Sequence, residues 1–247
     1  RLNPSHQGVR VALREQLDYA TILYNKGLYK QSLKVLDKAK LLAIEHEEKN
    51  IAYEIVELEK IIETQYITRS IESRADELAI QAKKLSKQNV LASKLSNLSL
   101  QLYGVLLKVG YVKNEEDYQE ITKYYNDRLP RFNVEELGFR EKLWLYKAQL
   151  WYSFLIQDFL SCYKYASKWV ALFEEQPNMI RVNPVFYLKG VHYLLESLFY
   201  IRHQTKFNET LEKLEYNINE GIIPQNDNTQ ALSFIYLYAN KINAHFL

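Results

Sequence analysis

Few residues in this sequence could do chemistry, and metal binding is the first kind to consider. His192 and Glu196 lie one helical turn apart, and His203 follows on the same predicted helix, a spacing that could offer metal ligands. The sequence names no third ligand and no second shell to orient them. The His-Glu-Glu run at 46–48 lacks the second histidine of a zinc-protease helix. We therefore expect no metal and no cofactor.

Nucleophilic and acid–base chemistry have no stronger support. The single cysteine, Cys162, has no histidine nearby in the sequence to activate it, and it occupies a small-residue packing position. Glutamate pairs at 115–116 and 135–136 lie at expected helix starts, where the helix dipole favours negative charge. Because no Gly-x-Gly occurs, neither a dinucleotide fingerprint nor a phosphate loop can be assigned. We expect a protein that is not an enzyme, with a helical enzyme as an alternative.

The charged residues do not indicate a nucleic-acid partner. The 247 residues carry 32 Lys and Arg against 30 Asp and Glu, and a net charge of +2 gives no strong steering field. Lys30, Lys34 and Lys38 form a ladder one turn apart, and a second lysine cluster spans 83–94. No arginine belongs to either, and the acidic residues Asp37, Glu45 and Glu47 lie close to the ladder. Solvated helix faces explain them. We expect no nucleic-acid contact.

Location is predicted from the cysteine content and the apolar stretches. One cysteine excludes a disulfide framework and favours the reducing cytoplasm. The longest apolar stretches, such as 105–112, are well below the ~18 residues that a membrane span needs. We expect no membrane span.

Helices have to position these residues. Seven glycines and five prolines are far fewer than the turn signals that an all-β chain of this length needs. Apolar residues recur instead at spacings of three and four, as at Val9, Leu13 and Leu17. The pattern predicts about eleven helices and no strand. After two helices on either side of Gly27, the predicted helices cover 49–66, 70–88, 90–108, 114–129, 133–156, 159–175, 184–203, 207–220 and 229–246.

Capping residues indicate where several of these helices begin. Asn114 is a predicted N-cap, and Asn133 with Glu136 fits a capping-box variant. The Asn-Pro pair at 183–184 places a proline in a first turn, where its missing N–H costs nothing. The two helices around Gly27 are joined by so short a break that they must be antiparallel.

An aromatic residue recurs at the start of the second helix of successive pairs. We align Gly-Leu-Tyr at 27–29, Glu-Asp-Tyr at 116–118, Gln-Asp-Phe at 157–159 and Thr-Lys-Phe at 205–207. The run 19–39, which carries Ala20, Gly27, Tyr29 and Ser32 at the matching positions, resembles the tetratricopeptide repeat (TPR). The resemblance implies that the aromatic packs the helix pair and that the small residues permit close approach. Later copies are 41 and 48 residues apart, longer than the 34 of that family.

The resemblance implies an all-α, right-handed superhelical array of antiparallel helix hairpins, as a single domain over residues 1–247. Each hairpin would cover the apolar face of its neighbour. Arrays of the HEAT or armadillo type have comparable periods and stay open as alternatives. The chain begins at Arg1, and its last helix resembles a first helix without its partner, so we expect a longer natural protein.

In this family the first helices of successive pairs line the groove that holds a peptide. Carried over onto this chain, the groove positions are Trp144, Lys147, Trp151, Phe154, His192, Leu195, Phe199, Arg202, Tyr236, Asn240 and Asn243. Aromatic side chains anchor recognition surfaces, although they also fill cores. The basic-and-asparagine clamp that some TPR domains use for chaperone tails is absent, because Leu17 and Thr21 stand in its place.

These observations predict a non-enzymatic scaffold that binds a protein or peptide on the groove face. Homo-oligomer formation stays open. The alternative is a sensor or dimerisation region of a larger signalling or transcription-regulatory protein, with the output domain outside residues 1–247. The full reading frame would distinguish the two hypotheses.

Overall fold

The computed structural model describes residues 8–65 and 71–247, and within them the chain is all-α with eleven α-helices and no strand. The helices are α1 (Val9–Asn25), α2 (Tyr29–Glu45), α3 (Lys49–Gln65), α4 (Ile71–Val109), α5 (Glu115–Arg128), α6 (Phe139–Leu155), α7 (Phe159–Glu175), α8 (Asn178–Val182), α9 (Pro184–Tyr200), α10 (Gln204–Asn219) and α11 (Asp227–Ala244). The predicted fold class is confirmed.

Helices that follow one another pack as antiparallel neighbours. α2 packs between α1 and α3, and α7 packs between α6 and α9. Near the C-terminal end, α9, α10 and α11 pack against one another. Connections of a few residues dictate this arrangement. The repeat family and the right-handed superhelix stay predictions.

One long helix replaces two predicted ones. The helices predicted over 70–88 and 90–108 form the single helix α4, so the predicted break at residue 89 is wrong. No glycine or proline interrupts the chain there, and Asn89 Nδ2 donates to the carbonyl of Lys49 at 3.2 Å. The predicted boundaries at 66 and 70 lie outside the described residues. The short helix α8 was not predicted.

The helix predicted over 133–156 begins later than expected. Asn133 Oδ1 accepts from the backbone N–H of Glu135 at 3.2 Å, and this cap serves a single 3-10 turn at 134–136. α6 starts after Gly138, whose N–H donates to Glu141 Oε2 at 2.8 Å. The predicted capping box at Asn133 is therefore wrong for α6.

Two other predicted helix starts can be checked directly. Asn114 Oδ1 accepts from the N–H of Asp117 at 2.8 Å, which confirms the N-cap of α5. Pro184 is the first residue of α9, as predicted, but the side chain of Asn183 makes no capping hydrogen bond there.

Five turns between consecutive helices share one backbone geometry. In each, one residue has a left-handed φ: 74° at Gly27, 58° at Glu47, 58° at Gln157, 52° at Arg202 and 65° at Gly221. The N–H of the following residue donates to the carbonyl five residues before it, as in a Schellman helix end. Tyr29 and Phe159 each follow the left-handed residue of their turn by two positions. In the turn at Arg202 that position is Gln204, so the sequence alignment, which placed Phe207 there, is three residues out of register.

The first hairpin shows how closely two helices approach. Ser32 Oγ donates to the carbonyl of Ala20 at 2.7 Å, and both residues are fully buried. The rings of Tyr24 and Tyr29 lie 5.7 Å apart beside the turn. This is the close approach expected at these positions.

Contacts divide the chain into two compact units, Arg1–Leu91 and Ala92–Leu247, each with its own core. All ten phenylalanines and all three tryptophans of the sequence lie in the C-terminal unit. The N-terminal core is consequently aliphatic, whereas the C-terminal core is built around rings such as Trp169 and Phe173. The single-domain prediction stays a prediction.

A buried ion-pair network joins three helices of the N-terminal unit. Glu59 has no exposed surface, and its carboxylate lies 2.6 Å from Lys40 Nζ and 3.2 Å from Arg74 Nη2. Asp37, Glu63 and Glu77 also lie within 3.8 Å of the Arg74 guanidinium. Burial raises the pKa of Glu59, and the two cations oppose that rise. The attraction between the opposite charges offsets the loss of hydration that accompanies their burial.

Other lysines of α2 and α4 face solvent, whereas Lys49 at the start of α3 is buried. Lys30, Lys34 and Lys38 are exposed, as are the four lysines at 83, 84, 87 and 94. Their predicted exposure is confirmed, and the absence of nucleic-acid contact stays a prediction.

One helix meets a compositional criterion for a membrane span. Ser73–Val109 has 37 residues and includes an 18-residue window with a mean hydropathy of 1.2. The core helix of a soluble protein meets the same criterion, so this finding assigns no location. The absence of a span and the cytoplasmic location stay predictions.

Candidate functional site

The predicted site residues lie on three helices of the C-terminal unit. They are Trp144, Lys147, Trp151 and Phe154 on α6, His192, Leu195 and Phe199 on α9, and Tyr236, Asn240 and Asn243 on α11. Arg202 is exposed in the turn after α9 and not in the helix where we expected it, and Leu195 is a fully buried core residue. Side-chain contacts gather most of the others into two groups, which do not include Phe199 and Asn243.

The first group holds a lysine against two aromatic rings. The Trp144 ring meets the Phe186 ring edge-on at 5.3 Å. Lys147 Nζ lies 4.9 Å from the Trp144 centroid and 5.3 Å from that of Phe186. Residues three and four apart share one face of a helix, which aligns Trp144, Lys147 and Trp151 along α6. The ring faces attract the ammonium and hold it in place.

A cavity of about 340 Å³ opens beside this group, between α4, α6 and α9. Its lining consists of Ser96, Asn97, Ser99, Leu100, Tyr103, Trp144, Lys147, Trp151, Lys189 and Tyr193. Two of these described residues are cationic and none is acidic. We call this space the lysine cavity.

Two buried hydrogen-bond donors of the lysine cavity are without partners. Trp151 is 6% exposed and Ser99 is 1% exposed. Neither Trp151 Nε1 nor Ser99 Oγ has a hydrogen-bond partner among the residues that the structure describes. The Trp151 ring packs against Tyr103 at 4.7 Å and Tyr193 at 5.1 Å. Such donors cost stability when they stay unpaired, and most native structures have few of them.

The ammonium of Lys147 is in an unfavourable environment when no anion is present. Burial, together with the nearby charge of Lys189, lowers the pKa of Lys147 to about 8. Both causes disfavour the charged form. At neutral pH the group is still mostly protonated, so the lysine cavity carries positive charge.

The second group centres on a histidine that is neutral at physiological pH. The rings of His192 and Tyr236 stack at 4.2 Å with 7° between their planes. Asn240 Nδ2 donates to the Tyr236 carbonyl at 2.7 Å and lies 3.3 Å from His192 Nδ1. Because Asn240 offers N–H groups on that side, Nδ1 is the acceptor and Nε2 carries the proton.

An acceptor in this group also lacks a partner. Asn240 is fully buried, and its Oδ1 has no donor within the described parts of the chain. Burial lowers the pKa of His192 to about 4 and raises the pKa of Glu196. His192 Nε2 lies 3.8 Å from Glu196 Oε1, which is too long for a hydrogen bond. The group therefore offers an acceptor at Asn240 Oδ1 and a donor at His192 Nε2, and a pKa of about 4 makes His192 a weak base at pH 7.

Tyr193 connects the two groups. Its ring contacts Trp151 and also His192, whose centroid is 5.4 Å away. The rings of Tyr103, Trp151, Tyr193, His192 and Tyr236 thus contact one another in turn across α4, α6, α9 and α11. We call these five rings, together with Trp144 two turns from Trp151 on α6, the aromatic face. The face offers donors at the lysine cavity and an acceptor at Asn240.

Comparison with known proteins adds no assignment. No protein-family model, curated protein or solved structure matches this chain. The TPR resemblance therefore stays a prediction, and the functional argument rests on the aromatic face itself.

The remaining candidates for chemistry have ordinary structural explanations. Within residues 8–65 and 71–247, no group of three His, Cys, Asp or Glu side chains could hold a metal ion. Cys162 is fully buried in α7, and burial raises the pKa of its thiol to about 12. The thiolate that a nucleophile needs is not formed near neutral pH.

A second cavity, of about 520 Å³, lies between α7, α9 and α10. Its lining differs electrostatically from that of the lysine cavity. Lys213 pairs there with Glu174 at 2.5 Å, and Lys206 Nζ donates to Tyr163 Oη at 2.7 Å. These cations already have partners, so this cavity has a weaker claim to a ligand.

Sequence reasoning missed several residues of the site. Lys189 and Tyr193 lie one turn apart on α9, and Ser99 and Tyr103 lie one turn apart on α4. Lys189 and Tyr193 could have been predicted, because they lie close in sequence to His192, which was already a predicted groove position on the same helix. The α4 pair carried no signal, because the repeat alignment gave that segment no groove position.

Proposed function

We propose that this protein is a non-enzymatic scaffold that binds a peptide along the aromatic face. One observation carries the proposal: three residues at the lysine cavity and beside the His192–Tyr236 stack each hold a buried polar atom without a partner in the described parts of the chain. These atoms are Trp151 Nε1, Ser99 Oγ and Asn240 Oδ1. Packing has to compensate their cost in the free protein, and a ligand that pairs with them gains their hydrogen bonds.

A peptide fits this arrangement better than a purely apolar ligand. Every peptide unit except proline offers both an N–H donor and a carbonyl acceptor. Donors at Trp151 and Ser99 suit its carbonyls, and the acceptor at Asn240 suits its N–H groups. The rings supply apolar area for its side chains at low entropic cost.

The absence of enzymatic activity belongs to the same proposal. His192 is neutral and has no hydrogen bond to Glu196, and the Cys162 thiol is protonated at pH 7. A pKa of about 4 makes His192 a weak general base at pH 7, and a protonated thiol is a poor nucleophile. The alternative, a sensor or dimerisation region, stays a prediction because it concerns sequence outside residues 1–247. Homo-oligomer formation stays open as well.

The test is a selection of random displayed peptides on the purified chain, followed by titration of the selected peptides. All three tryptophans are in the C-terminal unit, so their fluorescence reports binding there. In Tyr236→Ala the stacked partner of His192 is lost, and we expect affinity to fall by at least about tenfold, as at a binding hot spot. Tyr216→Ala, at an exposed position on α10, is the matched control and should bind like the wild type.

Circular dichroism of both variants separates a binding defect from unfolding. The proposal is contradicted if no peptide binds saturably, or if both tyrosine variants weaken binding equally. Release of product from a small molecule at the same face would contradict the non-enzymatic part.

A further inference from the structure

We propose that the lysine cavity is an oxyanion subsite, which holds a carboxylate or phosphoryl group of the bound peptide between Lys147 and Lys189. The inference rests on the proposed peptide-binding function and names the chemistry that one part of the face recognises. Three features carry it: the set of donors, the uncompensated charge and the aromatic walls.

The lining residues of the cavity supply several hydrogen-bond donors. Lys147 and Lys189 present ammonium groups, Trp151 an indole N–H and Ser99 a hydroxyl. The last two are more than nine-tenths buried and have no partner in the described chain. An oxyanion accepts several hydrogen bonds at once, and bonds from charged donors are the strongest.

The positive charge of the cavity is not compensated by the protein. No carboxylate of the described residues lies within salt-bridge distance of Lys147 or Lys189, whereas Lys213 of the second cavity is paired with Glu174. The two ammonium groups repel each other, and that repulsion contributes to the low pKa of Lys147. An anion between them would remove the repulsion and gain two attractive contacts.

Aromatic walls indicate what carries the oxyanion. Tyr103, Trp144, Trp151 and Tyr193 line the cavity, so an apolar stem leading to the charged group would be covered by rings. The volume of about 340 Å³ is within the range of sites that enclose small ligands or single side chains. An acidic side chain, a C-terminal carboxylate or a phosphorylated residue would each fit this description.

Small probes test the subsite without any peptide. We would titrate phenylacetate, phenyl phosphate and neutral phenylacetamide by calorimetry and tryptophan fluorescence at pH 7. We expect at least one of the two anions to bind about tenfold or more tightly than the neutral amide, as charged hydrogen bonds require. The better anion identifies the oxyanion class.

Lysine variants assign the binding to this cavity. Lys147→Met and Lys189→Met should each weaken the preferred anion by about tenfold and leave phenylacetamide unchanged. Lys142→Met removes the same charge from α6 at a position that does not line the cavity, and it should bind like the wild type. Equal anion binding in all three variants would overturn the subsite.

Peptide arms distinguish the sources of the oxyanion. A selected peptide is compared with its C-terminal amide, with its Glu→Gln and Asp→Asn forms, and with a phosphorylated form. For each form, its affinity is compared with that of the unmodified peptide. The modification that changes the affinity for the wild type by about tenfold, but does not change the affinity for Lys147→Met, identifies the group in the cavity.

The subsite and the peptide function can fail separately. Lysine-dependent anion binding without any peptide binder would keep the subsite and contradict the peptide function. Peptide binding that is insensitive to anionic groups and to both lysine variants would keep the peptide function and overturn the subsite.

Affinity should also depend on pH in a defined direction. Because Lys147 loses its proton above about pH 8, we expect anion affinity to fall as the pH rises through that value. The other ionisable groups that line the cavity are Lys189, Tyr103 and Tyr193, and burial raises the pKa of Tyr193. In Lys147→Met the decrease near pH 8 should be absent, and its persistence would contradict the role of Lys147.

Discussion

The two units bury polar groups in opposite ways. In the N-terminal unit, Glu59 is fully buried and is surrounded by the cations of Lys40 and Arg74. In the C-terminal unit, Lys147 and Lys189 face a cavity without a carboxylate among its described lining residues. Both units are built from antiparallel helix neighbours. The same architecture therefore supports a closed ionic network in one unit and an open set of donors in the other.

The difference indicates what each set of polar groups is for. A buried ion pair loses the hydration of both charges, and the mutual attraction offsets most of that loss. The N-terminal network is consequently a matter of stability. An unpartnered buried polar atom costs about 1–3 kcal/mol, and both units hold such atoms. At the lysine cavity they occur beside two cations without a carboxylate partner, and we explain that combination by a ligand. Variants that separate stability from binding therefore test the comparison.

The largest effect is expected where the closed network is broken. Glu59→Ala leaves the buried Lys40 ammonium without its closest carboxylate and should lower the free energy of unfolding by about 3–5 kcal/mol. Glu57→Ala breaks the exposed Glu57–Lys60 pair on the same helix and should cost less than about 1 kcal/mol. Urea unfolding followed by circular dichroism measures both values. Similar losses in the two variants would show that the network does not stabilise the N-terminal unit.

The next effect concerns the neutral histidine of the open face. The pKa of His192 is about 4 in the folded protein, against 6.5 for the free group. Between these values the unfolded chain binds more protons, so stability should fall as the pH is lowered from 6.5 to 4, by up to about 3 kcal/mol. His192→Gln should lack this part of the decrease. Glu196, whose pKa is also shifted, is present in both proteins and so does not account for the difference between them. Parallel stability curves from pH 7 to pH 4.5 would contradict a buried neutral His192.

A pair of glycines gives the smallest expected change. A Cβ at Gly190 on α9 would lie 2.8 Å from Trp169 Nε1, so Gly190→Ala should cost about 1–3 kcal/mol through overpacking. Gly104 on α4 has open space around it, and Gly104→Ala should stabilise the protein by roughly 0.5–1 kcal/mol through helix propensity. Thermal unfolding measures whether each variant has a lower or a higher melting temperature than the wild type. A stabilising Gly190→Ala would show that the C-terminal core is looser than its ring contacts indicate.

The periodicity of apolar residues predicted the fold class, because helix formation depends mainly on residues that are close in sequence. Even the buried lysine had a signal of this kind. Lys40 continues the apolar stripe of Leu33, Leu36 and Ala43, whereas Lys30 and Lys34 lie off it. A charged residue on an apolar stripe indicates a buried partner, and Glu59 lies on the corresponding stripe of α3.

The site was less predictable because its contacts join distant parts of the chain. Trp151 meets Tyr103 on α4 and Tyr193 on α9, and no local spacing links these three residues. The groove positions taken from the TPR resemblance included Trp151 and His192 but not Lys189. Helix-to-helix register, which the turn geometry sets, decided which side chains meet.

The most direct test of the aromatic face is the nuclear magnetic resonance signal of the three tryptophan indole N–H groups. Trp151 lines the lysine cavity and its Nε1 is buried without a partner in the described chain, while Trp169 Nε1 is also buried but packs against Gly190. Single Trp→Phe variants assign the three signals. A bound peptide should shift the Trp151 indole signal as its N–H gains a partner, and should leave the Trp169 signal nearly unchanged. Peptide binding that leaves the Trp151 signal in place would contradict the central claim.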